Sequence, residues 1–336
     1  MSELSIFGSG SWGTALAVQF ARNGHDVLLW SRRPELCSQL QEEGRNELYL
    51  PGIDFPETLT VTSDLEAAAA RDVALVVVPS HGFRGVVKDL LAARARRRLV
   101  LVSAAKGIEN DTSARMSQVV WEEALSADRE VDFAVLAGPT FAAELARGLP
   151  SLGVIASEKE TLAQRLQESL SAPSFRLYSS SDVVGVEIGG ATKNVIALSS
   201  GVVVGLELGQ NALAALITRG LHEITRLGLA CGGQTPTFSG LAGLGDLVLT
   251  CTGGLSRNRR AGLALAEGKT LAEIQASTSM VAEGLYNALN IDRLAGQMGV
   301  EMPITAQMVQ VLHEGKSPGR ALEELMTRNL KAETAL

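Results

Sequence analysis

The chain has 336 residues, 46% hydrophobic, 4% aromatic and 20% charged, a length that suits about two domains each with its own core. Lysine and arginine number 30 against 37 acids, and a net charge of −7 excludes a global field suited to nucleic acid. Cys37, Cys231 and Cys251 are odd in number and widely spaced, which excludes a disulfide framework and a cysteine metal site and points to a reducing, cytoplasmic compartment.

A strand over residues 4–7, with no basic leader before it, runs into Gly8-Ser9-Gly10-Ser11-Trp12-Gly13 and a helical pattern over 13–23. The G-x-G-x-x-G string is weak alone, but between a strand and a helix it marks a dinucleotide-binding turn. Gly8 makes the tight turn, Gly10 lets backbone approach a pyrophosphate, and Gly13 permits close helix–strand packing. The helix N-terminus supplies amide donors to phosphate. The second strand, 26–30, leads into Ser31-Arg32-Arg33 and a helix over 34–44. NAD sites usually place an acid here for the adenosine ribose. A serine and two arginines suit a 2′-phosphate instead, so NADPH is expected over NADH; a solvated turn is the alternative reading of Arg32 and Arg33.

The apolar runs 73–78 and 99–102 read as parallel strands covered on both faces. Helices over 82–93 and 112–124 and a strand over 133–136 continue the alternation. His81 reads as an ordinary loop residue, and Arg94, Arg96, Arg97 and Arg98 as a solvated cationic helix end. Such βαβ alternation implies an open parallel sheet, extended by strands at 151–156 and 175–178 around a helix at 159–170. Near residue 180 the pattern changes to helices over 183–205, 211–227, 271–275, 282–296, 304–313 and 319–325. Gly228 and Gly315 mark stops, and Pro303 and Pro318 mark starts. The expected division is an α/β dinucleotide domain over 1–180 and an all-α domain over 181–336. The most membrane-like stretch, 188–206, contains Lys193, which leaves 13 uncharged residues, short of the roughly 20 a span needs. It reads as a buried core helix, with no membrane insertion.

Two motifs sit after strands, where open α/β sheets keep their ligands: Ser103-Ala104-Ala105-Lys106-Gly107 and Ala137-Gly138-Pro139-Thr140-Phe141-Ala142. A lysine there can neutralise an anion or polarise a carbonyl. A third, Gly189-Gly190-Ala191-Thr192-Lys193-Asn194, holds the only charge within 188–206. An apolar setting is expected to lower the pKa of Lys193, which suits proton transfer. The alternative is a buried stem with its head in solvent. Further on, Gly240-Leu241-Ala242-Gly243-Leu244-Gly245-Asp246-Leu247 reads as a tight loop presenting a carboxylate. Ser256-Arg257-Asn258 supplies a hydroxyl, a guanidinium fork and an amide, a set suited either to a phosphate or to an N-cap followed by an exposed helix.

These motifs, with Asn211-Ala212-Leu213-Ala214-Ala215-Leu216-Ile217-Thr218-Arg219-Gly220 and Met302-Pro303-Ile304, resemble the bacterial-type NAD(P)-dependent glycerol-3-phosphate dehydrogenases over nearly the whole chain. The resemblance implies a Rossmann-type domain followed by a helical domain like the C-terminal domain of 6-phosphogluconate dehydrogenase. It implies NADP, or NAD, as cofactor. The implied reaction is reversible reduction of dihydroxyacetone phosphate to sn-glycerol 3-phosphate, a phospholipid precursor. By the same resemblance Lys193 is the general acid/base, and Lys106, Gly138, Thr140, Asp246, Ser256, Arg257 and Asn258 contact substrate. Gly8, Gly10, Ser11, Trp12, Gly13, Arg32, Arg33, Lys106, Ala142, Arg257, Val281 and Glu283 contact the cofactor. Two departures stand out: Thr192 replaces a usual leucine, and Arg33 stands where many relatives carry an acid or amide, which sharpens the NADPH bias. No metal is expected, and a homodimer is, from the apolar helical domain. The runner-up enzyme is a β-hydroxyacid or ketopantoate-type reductase, whose substrate is a carboxylate. A catalytically idle NADP-binding sensor is the non-enzyme alternative; both lysines being present speaks against it.

Overall fold

Short, β-branched and apolar strands separated by amphipathic helices give the first half of the chain one sheet with helical cover. In the computed structural model, which describes residues 2–277, 281–330 and 332–333, the chain divides into two compact units. One is 1–106 with 114–183; the other is 107–113 with 184–336. The crossing of 107–113 into the second unit is not visible in a chain-order reading.

In the first unit the elements are β1 (Glu3–Phe7), α1 (Ser11–Arg22), β2 (Asp26–Trp30), α2 (Pro34–Glu43), β3 (Arg45–Asn46), β4 (Leu50–Asp54), β5 (Leu59–Thr62), α3 (Leu65–Ala69), β6 (Val73–Val76), α4 (Ser80–Ala93), β7 (Arg98–Ser103), α5 (Met116–Ser126), β8 (Glu130–Ala137), α6 (Ala142–Ala146), β9 (Ser151–Ala156), α7 (Glu160–Leu170) and β10 (Phe175–Ser180). An eight-stranded sheet has the order β10-β9-β8-β7-β6-β1-β2-β5. It is a Rossmann-type sheet, with β1 parallel to both β2 and β6. The expected all-parallel extension needs correction: β9 runs antiparallel to β8, with Leu136 opposite Ile155, and β10 is parallel to β9. The sequence reading also passed over β3, β4 and β5, which are short and lack sustained alternation. It began α5 four residues early and placed His81 in a loop, whereas His81 lies in the first turn of α4.

The arginine run divides by position. Arg96, Arg97 and Arg98 are exposed, but Arg94 is buried and donates to the carbonyls of Ala69 (2.6 Å), Arg71 (2.6 Å) and Arg98 (2.6 Å). It gathers three carbonyls, including that of the last residue of α3, which has no acceptor role within its own helix. Periodicity cannot reveal this, because a buried guanidinium with a full set of acceptors looks like any other arginine in a string.

The second unit is helical: α8 (Val183–Gly205), α9 (Gly209–Ala230), α10 (Thr235–Ser239), a π-helical turn (Leu241–Gly245), α11 (Asp246–Thr252), α12 (Arg257–Ala266), α13 (Leu271–Ala276), α14 (Glu283–Gln297), α15 (Pro303–His313) and α16 (Pro318–Met326). By length and composition α8 could cross a membrane, yet 89% of its most apolar window is buried within the protein. Its side chains belong to two apolar clusters, Ile188, Val195 and Leu198 to one and Ile196 and Ala197 to the other. Small residues allow this density: a Cβ on Gly262 of α12 would lie 1.9 Å from the carbonyl oxygen of Leu198.

Glu223 is buried on α9, and its carboxylate accepts from the backbone N–H groups of Ile304 (2.6 Å) and Thr305 (3.2 Å) and from Thr305 Oγ1 (3.1 Å). It thereby serves the uncapped N-terminus of α15 from a neighbouring helix. Burial pushes its carboxyl up from 4.5 to about 7, against these donors. A carboxyl with a higher pKa folded than unfolded stabilises fully below 4.5, and that contribution is lost as pH rises through about 7. The unfolding free energy of the parent relative to Glu223→Gln should therefore fall between about pH 5 and about pH 8 in urea titrations. An unchanged difference at the two pH values would contradict this.

Candidate active site

The glycine turn is built by exclusion. Gly8 has φ +122°, and a Cβ there would lie 2.5 Å from the Val77 carbonyl oxygen. A Cβ on Gly13 would lie 1.9 Å from the carbonyl oxygen of Gly8, so strand and helix meet backbone to backbone. Around Gly10 the opposite holds, with no atom within 4 Å of a built Cβ and no side chain capping α1. Trp12 Nε1 is buried without a hydrogen-bond partner. Uncapped amides, open space at Gly10 and an unpartnered indole N–H fit a phosphate-bearing dinucleotide.

The turn is held from outside by residues the sequence reading missed. Asn46 Nδ2 donates to the Ser9 carbonyl (2.9 Å) and to Thr14 Oγ1 (2.8 Å), while Asn46 Oδ1 accepts from Tyr49 N (3.1 Å). Ser11 Oγ donates to the Tyr49 carbonyl at 2.6 Å. Ser9 Oγ donates to Ser31 Oγ (3.0 Å), which joins the turn to the end of β2. Arg32 and Arg33 are exposed; the Arg33 guanidinium donates to the Tyr49 hydroxyl (3.0 Å) and lies 5.8 Å from its ring centre. The first unit also brings Lys106 to Gly138, with Nζ donating to its carbonyl (3.0 Å), and Thr140 Oγ1 donates to the same oxygen (3.3 Å). Gly138 has φ +132°, and a Cβ there would lie 2.9 Å from Gly153 Cα. Ala142 opens α6 and is half-buried.

In the second unit Lys193 is 4% exposed and Asp246 is 1% exposed. Lys193 Nζ donates to Asp246 Oδ1 (2.5 Å) and to Thr250 Oγ1 (2.7 Å), and Thr250 Oγ1 donates to the Asp246 carbonyl (2.6 Å). The setting expected to be apolar is therefore ionic at its centre. Burial works against the ammonium charge and the carboxylate works for it. The stretch 240–246 is no loop: Gly245 N donates to the Gly240 carbonyl (3.0 Å), a π-helical bond, and Asp246 begins α11. That extra residue in the turn sets the phase by which Asp246 and Thr250, four apart, both meet Lys193.

Beside this pair runs a line of amides. Asn258 Nδ2 donates to Asn194 Oδ1 (2.8 Å), and Gly284 N donates to Asn258 Oδ1 (2.9 Å). Ser256 resolves as the N-cap of α12, accepting from Arg259 N (3.2 Å). Arg257 follows at the first helical position, half-buried, and burial with neighbouring Arg260 pulls its guanidinium below its ordinary range. Val281 is half-buried, and Glu283 accepts from Asn287 Nδ2 (2.9 Å). Burial pushes the Cys251 thiol up to about 12, the opposite of what activates a thiolate. Among the described residues no cluster of histidine, cysteine and carboxylate suits a metal ion.

Residues 3–163 and 182–323 match the N-terminal and C-terminal family models of NAD-dependent glycerol-3-phosphate dehydrogenase. The glycerol-3-phosphate dehydrogenase (NAD(P)+) of Geobacter sulfurreducens is 50% identical over 335 residues, 99% of each chain. That of Citrifermentans bemidjiense is 48% identical over 332 residues, 98% of each chain. The crystal structure of glycerol-3-phosphate dehydrogenase from Coxiella burnetii superposes with a TM-score of 0.93 at 42% identity, covering 97% of this chain and 99% of that one. A ketopantoate reductase from Ralstonia eutropha, at 17% identity and a TM-score of 0.59, shares the fold alone. On these matches the chain belongs to the NAD-dependent glycerol-3-phosphate dehydrogenase family.

Proposed function

We propose that Lys193 is the general acid/base in the NAD(P)H-dependent reduction of dihydroxyacetone phosphate to sn-glycerol 3-phosphate. The observation that carries this is the buried ammonium of Lys193, oriented by Asp246 and Thr250. A lysine whose ammonium is held by a carboxylate and a hydroxyl keeps its Nζ at a defined place, which proton transfer requires. The cofactor, when bound, supplies hydride to the carbonyl carbon. Lys193 then gives its proton to the oxygen on which alkoxide charge develops, and Asp246 and Thr250 hold Nζ in place as it does so. In the reverse direction it takes that proton back.

Lys106, fixed by Gly138, and Thr140 are proposed to contact the substrate, with Asp246, Ser256, Arg257 and Asn258. Arg257 is proposed for the phosphate, because a half-buried guanidinium at a helix N-terminus offers a fork of donors where the helix dipole also favours an anion. Gly8, Gly10, Ser11, Trp12, Gly13, Arg32, Arg33, Lys106, Ala142, Arg257, Val281 and Glu283 are proposed to hold the cofactor. The enzyme is proposed to act ahead of glycerophospholipid synthesis, in the cytoplasm, with a homodimer as its working form.

NADPH is the proposed preferred reductant, with NADH also used. The end of β2 supports this: it carries no acid, Ser31 is turned inward, and Arg33 is steered by Tyr49. Initial rates with dihydroxyacetone phosphate should give NADPH a kcat/KM at least about tenfold above that of NADH, the scale of one well-placed charged contact. Comparable values would sink the preference. Lys193→Ala, checked for folding by circular dichroism, should lose about 10²–10⁴-fold in kcat while NADPH affinity stays within a few-fold. Near-normal kcat in that variant would remove Lys193 from the proton transfer.

A further inference from the structure

Directly after Lys106 the chain passes into the second unit, where residues 107–113 pack with 184–336. This segment has no helix or strand of its own, and Asp111 and Ser113 take left-handed backbone (φ 68° and 59°). Turn hydrogen bonds within it, Thr112 N to the Asn110 carbonyl (2.8 Å) and Ser113 N to that of Glu109 (3.2 Å), shape it locally, and α14 supplies two anchors. Asn287, fully buried, accepts the Ile108 backbone N–H at its Oδ1 (3.2 Å). Asn290 donates from Nδ2 to Asn110 Oδ1 (2.7 Å), and its carbonyl accepts from Ser113 Oγ (3.5 Å).

The two anchors differ in one respect. Asn287 Nδ2 also donates to Glu283 Oε2 (2.9 Å), one turn back on α14. One side-chain amide thus spans the carboxylate proposed to contact the cofactor and the backbone two residues beyond Lys106. Only an amide offers a donor to the carboxylate and an acceptor to the N–H from a single planar group of this size. Buried at this depth, it also cannot exchange either partner for water without cost.

We propose that Asn287 is a positioning residue for the dehydrogenase reaction. Its amide holds the Glu283 carboxylate and the Ile108 backbone N–H, two residues after Lys106, as one hydrogen-bonded group. The proposal rests on the roles given above to Glu283 and Lys106. Asn290 anchors the same segment without reaching Glu283, so it is the natural control.

The test measures NADPH dissociation constants and kcat/KM for dihydroxyacetone phosphate in full-length variants whose melting is recorded. Asn287→Asp keeps the acceptor but sets carboxylate against carboxylate. It should weaken NADPH about tenfold and lower kcat/KM for dihydroxyacetone phosphate by a similar factor, the size of one lost charge-assisted hydrogen bond. Pairing Asn287→Asp with Glu283→Gln exchanges donor and acceptor, restores both hydrogen bonds, and should recover most of kcat/KM for dihydroxyacetone phosphate. Asn290→Ala should lower that kcat/KM and leave NADPH binding within twofold. If Asn287→Asp does not fold, the paired variant and Asn287→Ser carry the test. A folded Asn287→Asp or Asn287→Ser with both quantities within twofold of the parent overturns the proposal. So does a folded paired variant with no recovery, or an Asn290→Ala that weakens NADPH as much as Asn287→Asp. Glu283→Gln alone with unchanged NADPH affinity counts instead against the cofactor contact assigned to Glu283.

Discussion

Lys193 lies in the middle of the buried helix α8 at 4% exposure, so its charge has to be met inside the protein. Taking an ammonium out of water costs several kcal/mol even after the surroundings relax, and a partner offsets that only with close geometry and satisfied donors. Asp246 and Thr250 supply both, and much of the helical unit is arranged so that they can. A Cβ on Gly189 would lie 3.0 Å from the Ala242 carbonyl oxygen, so the π-helical turn rests directly on α8. A Cβ on Gly284 of α14 would lie 2.5 Å from the Asn194 carbonyl oxygen, and one on Gly201 of α8 itself 2.0 Å from that of Arg259 on α12. Glycine is abundant here because backbones from three elements must close around one helix that carries a charge.

The first unit solves a different problem with the same residue type. Three of the six residues of its glycine turn carry no side chain, and Gly10 in particular is open. Rigidity is imported by Asn46, buried at 0% exposure, whose amide holds the Ser9 carbonyl and Thr14 together. The same short β3–β4 excursion delivers Tyr49 to Ser11 and to Arg33. Two ends of the proposed dinucleotide site, the turn and the close of β2, are therefore coupled through four residues of chain that read as an unremarkable polar connection.

What was legible in the sequence was whatever repeats or sits beside something that repeats. The strands β1, β2, β6 and β7 announce themselves as apolar runs, and the glycine turn is recognisable because it stands between one of them and a helix. Lys193 is legible as the single charge in an apolar helix, and its isolation is what marks it. Its partner was legible only as a carboxylate near glycines; that Asp246 and Thr250 face Lys193 depends on a π-helical turn, and no periodicity predicts one. Asn46, Asn287 and Arg94 escaped for a shared reason. Each is a polar side chain whose value lies in backbone groups brought from far along the chain, and those partners carry no side-chain signature.

The ion pair also decides where the substrate's phosphate can find its counter-charge. The Lys193 charge is met largely by Asp246, which suits the proton-transfer role proposed for that lysine better than neutralising a dianion. On the proposed reading the neutralising charge comes from other cations, and a chain with a net charge of −7 has few to spare. Arg257 is the proposed one in the second unit, where burial and a second arginine both act against its charge. Both make its charge costly in the absence of an anion, so an arriving phosphate recovers that cost as binding energy. Ser256, spent on the Arg259 N–H, fixes the helix start from which the guanidinium projects. Proton transfer and phosphate binding are thus proposed for different cations, one already set against a carboxylate and the other held against burial and an arginine neighbour.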